Sequence, residues 1–215
     1  MNNGKNIEKI AQGIFRIKVP FEDLFTTVYV YKCDEGVALI DSATYSSDVE
    51  TYIAPALKEV GIENVDYLLL THDHGDHMGG INKLSEKFPN AIVGAFFETE
   101  FPKNKIIADG EMILGNLQVI SLPGHTKNSV GYFDKKTKTL LSGDCLQLRG
   151  IVKYRGGICY HDLYENSCKK LKEMDIEKII AAHEYDPLGS IAEGEKAVKE
   201  YVDKCIEISK EEKRK

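Results

Sequence analysis

Three of the six histidines in this 215-residue chain lie inside one six-residue window. His72 and His74 are two positions apart, so an extended backbone places both imidazoles on the same side. Asp76 and His77 come directly after Gly75, which allows the backbone to turn sharply. Imidazole and carboxylate groups are common ligands of divalent metals. The window therefore indicates a metal site, and a solvated polar turn is the less favoured interpretation.

Short apolar runs elsewhere in the chain lead into further residues of the same chemical types. These runs are residues 37–40 before Asp41, 65–70 before His72, 117–122 before His125, 140–141 before Asp144 and 179–182 before His183. Buried strands that share a direction deliver their C-terminal residues to one edge of a sheet, where sites commonly form. The repetition of this ending predicts that these side chains converge.

The candidate ligands are more numerous than one tetrahedral zinc ion needs. They are His72, His74, Asp76, His77, His125, Asp144 and His183. Such a set fits two metal ions about 3.5–4 Å apart with one shared carboxylate. Asp144 is the expected bridge because it is the lone acid at its strand end. His161 is expected at the start of a helix or on a pocket rim, and Cys145 is expected to be a buried structural thiol.

The elements that must position these residues follow from apolar periodicity. Strands are predicted at residues 13–20, 26–31, 36–40, 65–70, 91–95, 117–122, 129–133, 139–141 and 176–182. Helices are predicted at residues 49–60, 81–88, 164–174 and 193–210, the first with an N-cap at residues 46–48. Gly79 and Gly80 are expected to allow a close backbone approach before the second helix. Strands followed by a helix occur twice, which predicts two sheets packed face to face with helices outside, in a single domain of residues 1–215.

Composition narrows the classes of function. Lys and Arg total 28 against 34 Asp and Glu, and this net charge of −6 argues against nucleic acid or anionic lipid as partners. The apolar runs are far too short to cross a bilayer. The five cysteines form no C-x-x-C pair and no leader precedes them, so we expect a cytoplasmic protein with buried thiols. A small molecule is the expected substrate, and the oligomeric state is left open.

Several motifs together resemble the metallo-β-lactamase-fold hydrolases. Residues 71–80 carry the pattern His-x-His-x-Asp-His, and residues 121–126 read Ser-Leu-Pro-Gly-His-Thr. The third motif is Ser-Gly-Asp at residues 142–144, and the last is Ala-His at 182–183. The resemblance implies an α/β fold, the four-layer αββα sandwich, and two divalent metal ions. Zinc is the first choice, with iron or manganese as the other candidates.

The resemblance also implies a role for each ligand. His72, His74 and His125 would hold the first ion, Asp76, His77 and His183 the second, with Asp144 bridging and Asp41 orienting the histidine loop. His74 stands where flavodiiron reductases carry a carboxylate. Only about 30 residues follow His183, so the chain is similar to the glyoxalase II branch without its C-terminal glutathione domain.

The expected reaction is hydrolysis of a small ester, thioester, lactone or related bond by a metal-bridging hydroxide. Asp76 would take up the proton of the attacking water. Substrate contacts are expected among Tyr45, Phe96, Phe97, Lys153, Tyr154, Arg155 and Tyr160. One alternative is an oxygen-using enzyme similar to persulfide dioxygenases, with a single iron on His72, His125 and Asp144. Another is a binding protein, although structural metal sites use four ligands and no more.

Overall fold

The computed structural model describes residues 6–101, 103–148, 157–186 and 188–214. The chain divides into two compact units, with the boundary between Ile107 and Ala108. The described part of each unit contains one β-sheet. The expectation of a single domain stays a prediction.

The described part of the first unit contains a seven-stranded sheet whose strands follow sequence order. The strands are β1 (Ile7–Ala11), β2 (Ile14–Phe21), β3 (Leu24–Cys33), β4 (Gly36–Ile40), β5 (Tyr67–Leu69), β6 (Ile92–Ala95) and β7 (Asn104–Ile106). Strands β1 to β4 pair antiparallel, and β4 to β7 pair parallel. The parallel half therefore has its carboxyl ends along one edge.

Helical segments connect the parallel strands of the first unit. They are α1 (Ser46–Asp48), the π-helical segment π1 (Val49–Ile53), α2 (Ala54–Glu59), α3 (Gly75–Met78) and α4 (Ile81–Lys87). The helix predicted at residues 49–60 thus begins earlier and contains a π-helical turn. The Asp48 carboxylate accepts from the backbone N–H groups of Thr44 and Tyr45, so the helix starts after Tyr45. The N-cap predicted at residues 46–48 was wrong for this reason.

The described part of the second unit contains a six-stranded sheet in the order β13-β12-β11-β10-β9-β8. Its elements are β8 (Met112–Ile113), β9 (Leu117–Ser121), β10 (Val130–Asp134), β11 (Thr139–Gly143), α5 (His161–Lys172), β12 (Lys178–Ala181), β13 (Ile191–Glu193) and α6 (Glu195–Glu212). Strands β11 and β12 pair parallel, whereas the other neighbours pair antiparallel. Apolar faces of α5 and α6, including Tyr164, Cys168 and Cys205, belong to one core with β11 and β12.

The pairing of β11 with β12 contains a β-bulge. Leu141 pairs with Ile180 and Gly143 pairs with Ala181, so Ser142 is an additional residue on β11. Gly143 has a φ of 52°, a value that glycine adopts readily. A bulge bends a strand and redirects the residues that follow it. Here the next residue is Asp144.

The fold class expected from the sequence is confirmed as mixed α/β with two sheets. Strands β7, β8 and β13 were missed because they have only two or three residues, and the residues of β7 are exposed. The five-residue strand β1 was missed because its apolar and polar residues do not alternate. All five cysteines lie in the described ranges and are free thiols. Cys33 is half-buried and Cys159 is exposed, so the expectation of buried thiols was wrong for these two. Among the described residues, none of the helices combines the length and apolar content that a bilayer crossing requires.

Candidate metal centre

The first unit places Asp41 beside the histidine loop because β4 and β5 are parallel neighbours. Ile40 pairs with Leu69, and the Asp41 N–H donates to the Leu69 carbonyl over 2.8 Å. The residues after both strands therefore start at the same edge of the sheet. Asp41 is 1% exposed and has a φ of 65°, a conformation that Asp and Asn tolerate better than most residues. The predicted convergence of Asp41 with the histidine loop is confirmed.

Asp41 orients the loop through several hydrogen bonds. Its Oδ1 accepts from the Thr71 N–H over 2.8 Å, and its Oδ2 accepts from Thr71 Oγ1 over 2.8 Å. His77 Nδ1 lies 2.7 Å from Asp41 Oδ2. Because a carboxylate only accepts, His77 carries its proton on Nδ1 in this contact. The Nε2 atom of His77 is then the nitrogen with a lone pair suited to a metal.

Thr71 extends the same arrangement to His72. Its hydroxyl donates to Asp41, so it accepts from His72 Nδ1, which is 2.9 Å away. The ring centroid of His72 lies 4.7 Å from that of His74 and 4.2 Å from that of His77. Asp76 Oδ2 lies 3.5 Å from His77 Nε2. The first unit therefore brings its predicted ligands close together. Hydrogen bonds at Nδ1 fix the imidazole orientations of His72 and His77.

Two glycines let α3 approach the segment after β4, as expected from the sequence. A Cβ atom at Gly79 would lie 1.8 Å from the Thr44 carbonyl oxygen, and one at Gly80 would lie 2.3 Å from that of Ser42. The Ser42 N–H donates to the His77 carbonyl over 2.6 Å. No side chain fits at either glycine, and this close contact anchors the loop that carries the ligands.

The second unit brings its three predicted ligands together from three strand ends. Strands β9 and β11 share a direction because both are antiparallel to β10, and β12 is parallel to β11. His125 Nε2 lies 3.5 Å from Asp144 Oδ2, and His183 Nε2 lies 3.3 Å from Asp144 Oδ1. All three side chains are buried. Each oxygen of the Asp144 carboxylate thus faces a different histidine.

Three groups that contact Asp144 or His125 were missed from the sequence. Gln147 Nε2 donates to Asp144 Oδ2 over 3.1 Å, and the Tyr185 hydroxyl lies 3.4 Å from Asp144 Oδ1. His125 Nδ1 lies 2.9 Å from the Gly157 carbonyl oxygen. The only sequence signal was proximity, since Gln147 and Tyr185 follow predicted ligands by a few residues.

The expected substrate contacts have mixed environments. Tyr45 is 64% exposed, and Tyr160 is 39% exposed with Lys127 Nζ 5.4 Å from its ring centroid. Phe96 is half-buried, whereas Phe97 packs against the core of the first unit. The remaining candidates, Lys153, Tyr154 and Arg155, lie outside the described residues. Tyr45 and Tyr160 therefore stay the candidates with accessible side chains.

Two further predictions concern His161 and Cys145 in the second unit. His161 is the first residue of α5, as predicted, and its Nδ1 lies 3.0 Å from Ser209 Oγ. Cys145 is 1% exposed and belongs to the apolar core of this unit. Its burial is confirmed, and its structural role stays a prediction.

Comparisons with known proteins agree with the motifs. The model of the metallo-beta-lactamase superfamily matches residues 22–104. Over 157 residues the chain is 31% identical to the uncharacterized protein YobT of Bacillus subtilis, covering 60% of this chain and 66% of that protein. Over 126 residues it is 38% identical to hydroxyacylglutathione hydrolase 1 of Vibrio vulnificus, covering 56% and 49%. The chain thus spans about half to two thirds of the length of these curated relatives.

Solved structures share the fold across nearly the whole chain. A B3 metallo-beta-lactamase with an active-site glutamic acid superposes with a TM-score of 0.74 at 18% identity, covering 98% of this chain and 92% of that one. Rubredoxin oxygen:oxidoreductase of Desulfovibrio gigas gives a TM-score of 0.71 at 18% identity, covering 95% and 61%. These structures share the fold of this chain, which through that fold and through residues 22–104 resembles the metallo-beta-lactamase superfamily. Its members include metal-dependent hydrolases and also oxidoreductases.

Proposed function

We propose that the chain is a dinuclear metal-dependent hydrolase. The first divalent ion would be held by His72, His74 and His125, and the second by Asp76, His77 and His183, with Asp144 shared between them. Zinc is the first candidate, with iron or manganese next. The enzyme would be cytoplasmic and act on a small molecule.

The observation that carries this proposal is the environment of Asp144. Its two oxygens face two different histidines, at 3.5 Å for His125 and 3.3 Å for His183. A carboxylate in this position can give one oxygen to each of two ions. A single metal site would need only one of these oxygens. The pairing therefore favours two ions over one.

The donor atoms of both units fit divalent metals. His72, His77 and His125 each have Nδ1 within 3 Å of an oxygen atom, at 2.9, 2.7 and 2.9 Å, respectively. Metal-bound histidines usually hold their second ring nitrogen in such a contact, which fixes the ring orientation and the tautomer. Nε2 is then directed to the metal. The chemistry of this donor set suits zinc, iron or manganese.

Bound ions would supply Lewis acidity and lower the pKa of water to about 7, which makes hydrolysis feasible at neutral pH. The chain's own residues would do the rest. Asp41 and Thr71 hold His72 and His77 in fixed orientations. The Asp76 side chain is 18% exposed, so it can accept the proton that leaves the attacking water. Tyr185 donates to Asp144 and would steady that carboxylate during turnover.

We propose a small ester, thioester or lactone as the substrate class. The support is the identity of 38% to a protein named hydroxyacylglutathione hydrolase, over 126 residues that cover 56% of this chain. The net charge of −6 disfavours nucleic acid as a substrate.

The test is metal quantification on protein purified without added metal, followed by assays with ester, thioester, lactone and phosphodiester substrates. We expect two divalent ions per chain and hydrolysis that a chelator abolishes and added zinc restores. Asp76→Ala should lose activity, whereas Asp73→Ala, an exposed aspartate of the same loop, should keep it. One iron per chain together with oxygen consumption would replace the proposal with the persulfide-dioxygenase-like alternative. A metal-loaded chain with neither activity would favour a binding protein.

A further inference from the structure

We infer that Gln147 and Tyr164 form a positioning pair that holds Asp144 in a metal-ready arrangement, beside the His125 segment, before any ion binds. The inference rests on the proposed function, because it concerns the carboxylate that we propose as the bridge. Neither residue is assigned as a metal ligand. Both act through the ligands that they hold.

The side chain of Gln147 contacts both ligands. Its Nε2 donates to Asp144 Oδ2 over 3.1 Å and lies 3.0 Å from His125 Nδ1. Gln147 is 2% exposed, so no bulk water can replace these contacts. An amide has two N–H groups and no charge. It can therefore hold a carboxylate by a hydrogen bond and leave unchanged the negative charge that attracts a cation.

Two groups lie near His125 Nδ1, and each can form a hydrogen bond with a different tautomer of the ring. The Gly157 carbonyl, 2.9 Å away, only accepts and therefore requires a proton on Nδ1. The Gln147 N–H requires the opposite tautomer, in which Nδ1 accepts. The form bonded to Gly157 leaves Nε2 to bind a metal. In that form the Gln147 amide touches the His125 ring without a hydrogen bond, and the ligand to which it donates is Asp144.

Tyr164 fixes the backbone of Gln147. Its hydroxyl accepts from the Gln147 N–H over 2.7 Å and donates to the Gln147 carbonyl over 2.9 Å. Tyr164 is fully buried, and burial raises the pKa of its hydroxyl well above the ordinary value. The hydroxyl therefore keeps the proton that it donates. Two hydrogen bonds to one residue determine where the Gln147 side chain begins.

Tyr164 also contacts the segment that carries His125. A Cβ atom at Gly124 would lie 2.5 Å from Tyr164 Cα, so the backbone of this segment touches α5 directly. The Gly124 carbonyl accepts from the Tyr160 N–H over 2.8 Å. One turn of α5 therefore holds the His125 segment with its backbone and the Gln147 segment with its side chain. This explains how Asp144 and His125, on separate loops, keep a common arrangement.

The test is titration of the metal-free full chain with Co²⁺, whose visible absorption depends on its ligands. The variants are Gln147→Met, which keeps the length and removes the amide, Tyr164→Phe and the double variant. Tyr201→Phe is the matched control. It removes another hydroxyl of a fully buried tyrosine, one that donates to the Gly189 carbonyl and not to Gln147. Thermal unfolding of each metal-free variant measures the purely structural cost.

We expect Gln147→Met to weaken Co²⁺ binding by about 10–100-fold and to alter the absorption bands, as loss of a contact behind a ligand usually does. Tyr164→Phe should weaken binding less. The double variant should match Gln147→Met alone, because Tyr164 acts through Gln147. Tyr201→Phe should lower only the unfolding temperature.

Wild-type affinity and absorption in Gln147→Met would overturn the inference, even if the wild-type chain binds two ions and the proposed function stands. Additive losses in the double variant would overturn the role of Tyr164. If the wild-type chain binds one ion and Gln147→Met weakens it, the dinuclear proposal fails and the positioning pair stands.

Discussion

The two units hold their candidate ligands in different ways. In the first unit the ligands lie on one continuous loop, and the support comes from a single buried carboxylate, Asp41, together with the glycine contacts of α3. In the second unit His125, Asp144 and His183 come from three separate loops and meet around Asp144. The first group of ligands is therefore determined mainly by local sequence, and the second by sheet topology.

The difference predicts how each group of ligands loses its arrangement. A loop that is oriented by a supporting hydrogen bond loses its orientation when that contact is removed, although its ligands stay on one chain segment. A centre built around one carboxylate loses its organising group when that carboxylate is removed. Substitutions that remove one support at a time test this contrast.

Replacing Asp144 should have the largest effect. Asp144→Ala would remove the negative charge between two cations about 3.5–4 Å apart and leave their repulsion less compensated. We expect about zero to one ion per chain by metal quantification, and hydrolysis near background. His183→Ala should retain about one ion, because His72, His74 and His125 are unchanged. Full metal and full activity in His183→Ala would contradict a catalytic second site.

The glycines of the first unit should be the next most sensitive positions. Gly79→Ala would place a Cβ atom 1.8 Å from the Thr44 carbonyl oxygen, so α3 must shift. We expect the free energy of unfolding, measured with urea, to fall by about 1–3 kcal/mol. Gly75→Ala is the control, because a Cβ atom there meets nothing within 4 Å. Equal stability of the two variants would show that the close approach does not anchor the loop.

Asp41→Asn should weaken metal binding without disrupting the backbone. Asn tolerates the positive φ of this position, but its neutral side chain holds His77 and Thr71 less firmly. We expect affinity for zinc to fall by about 10–100-fold in chelator competition. Thr71→Val, which removes only the hydroxyl, should have a smaller effect. An unchanged affinity in Asp41→Asn would remove Asp41 from the site.

A smaller effect is expected at Cys145, beside the bridging carboxylate. Cys145→Ala removes a buried sulfur atom from the core of the second unit. We expect a modest loss of stability and turnover within severalfold of the wild type, as judged by steady-state assays. Loss of activity with normal metal content would give this thiol a role in the reaction.

Alkaline pH should destabilise the second unit through its buried thiols. Burial raises the pKa of the Cys205 thiol from 9.0 to about 12. A raised pKa means that the folded chain holds this proton more tightly than the unfolded chain. The contribution is therefore full below pH 9 and is lost as the pH rises toward 12. Urea unfolding between pH 8 and 11 should show this decline in the free energy of unfolding. The decline should be less steep in Cys205→Ala. In Cys159→Ala, which alters an exposed thiol, it should be as steep as in the wild type.

The parts that sequence predicted well are those with local signals. The window around His72 was evident from residue types alone, and the positions of His125, Asp144 and His183 followed from apolar runs that proved to be β9, β11 and β12. Parallel pairing then placed Asp144 and His183 at one edge. These inferences needed only the spacing of residues and the geometry of sheets.

The contacts behind the ligands were not predictable in this way. Gln147 and Tyr164 meet because a core helix packs under a loop, and their 2.7 Å and 2.9 Å hydrogen bonds leave no periodic pattern in the sequence. The short edge strands β7 and β8 also lack the length for a clear alternation. The π-helical turn at π1 lies within the predicted helix, and the apolar spacing of residues 49–60 does not distinguish it from an α-helical turn.

The bulge at Ser142 makes the length of β11 as important as its composition. Gly143 pairs with Ala181 only because one additional residue is accommodated before it. Since successive side chains in a strand point to opposite faces, removing one residue here would rotate Asp144 away from its present direction. Substitution of Ser142 leaves the alternation of side chains unchanged, whereas deletion of one residue would reverse it. In this stretch the direction of Asp144 depends more on the number of residues than on the identity of the Ser142 side chain.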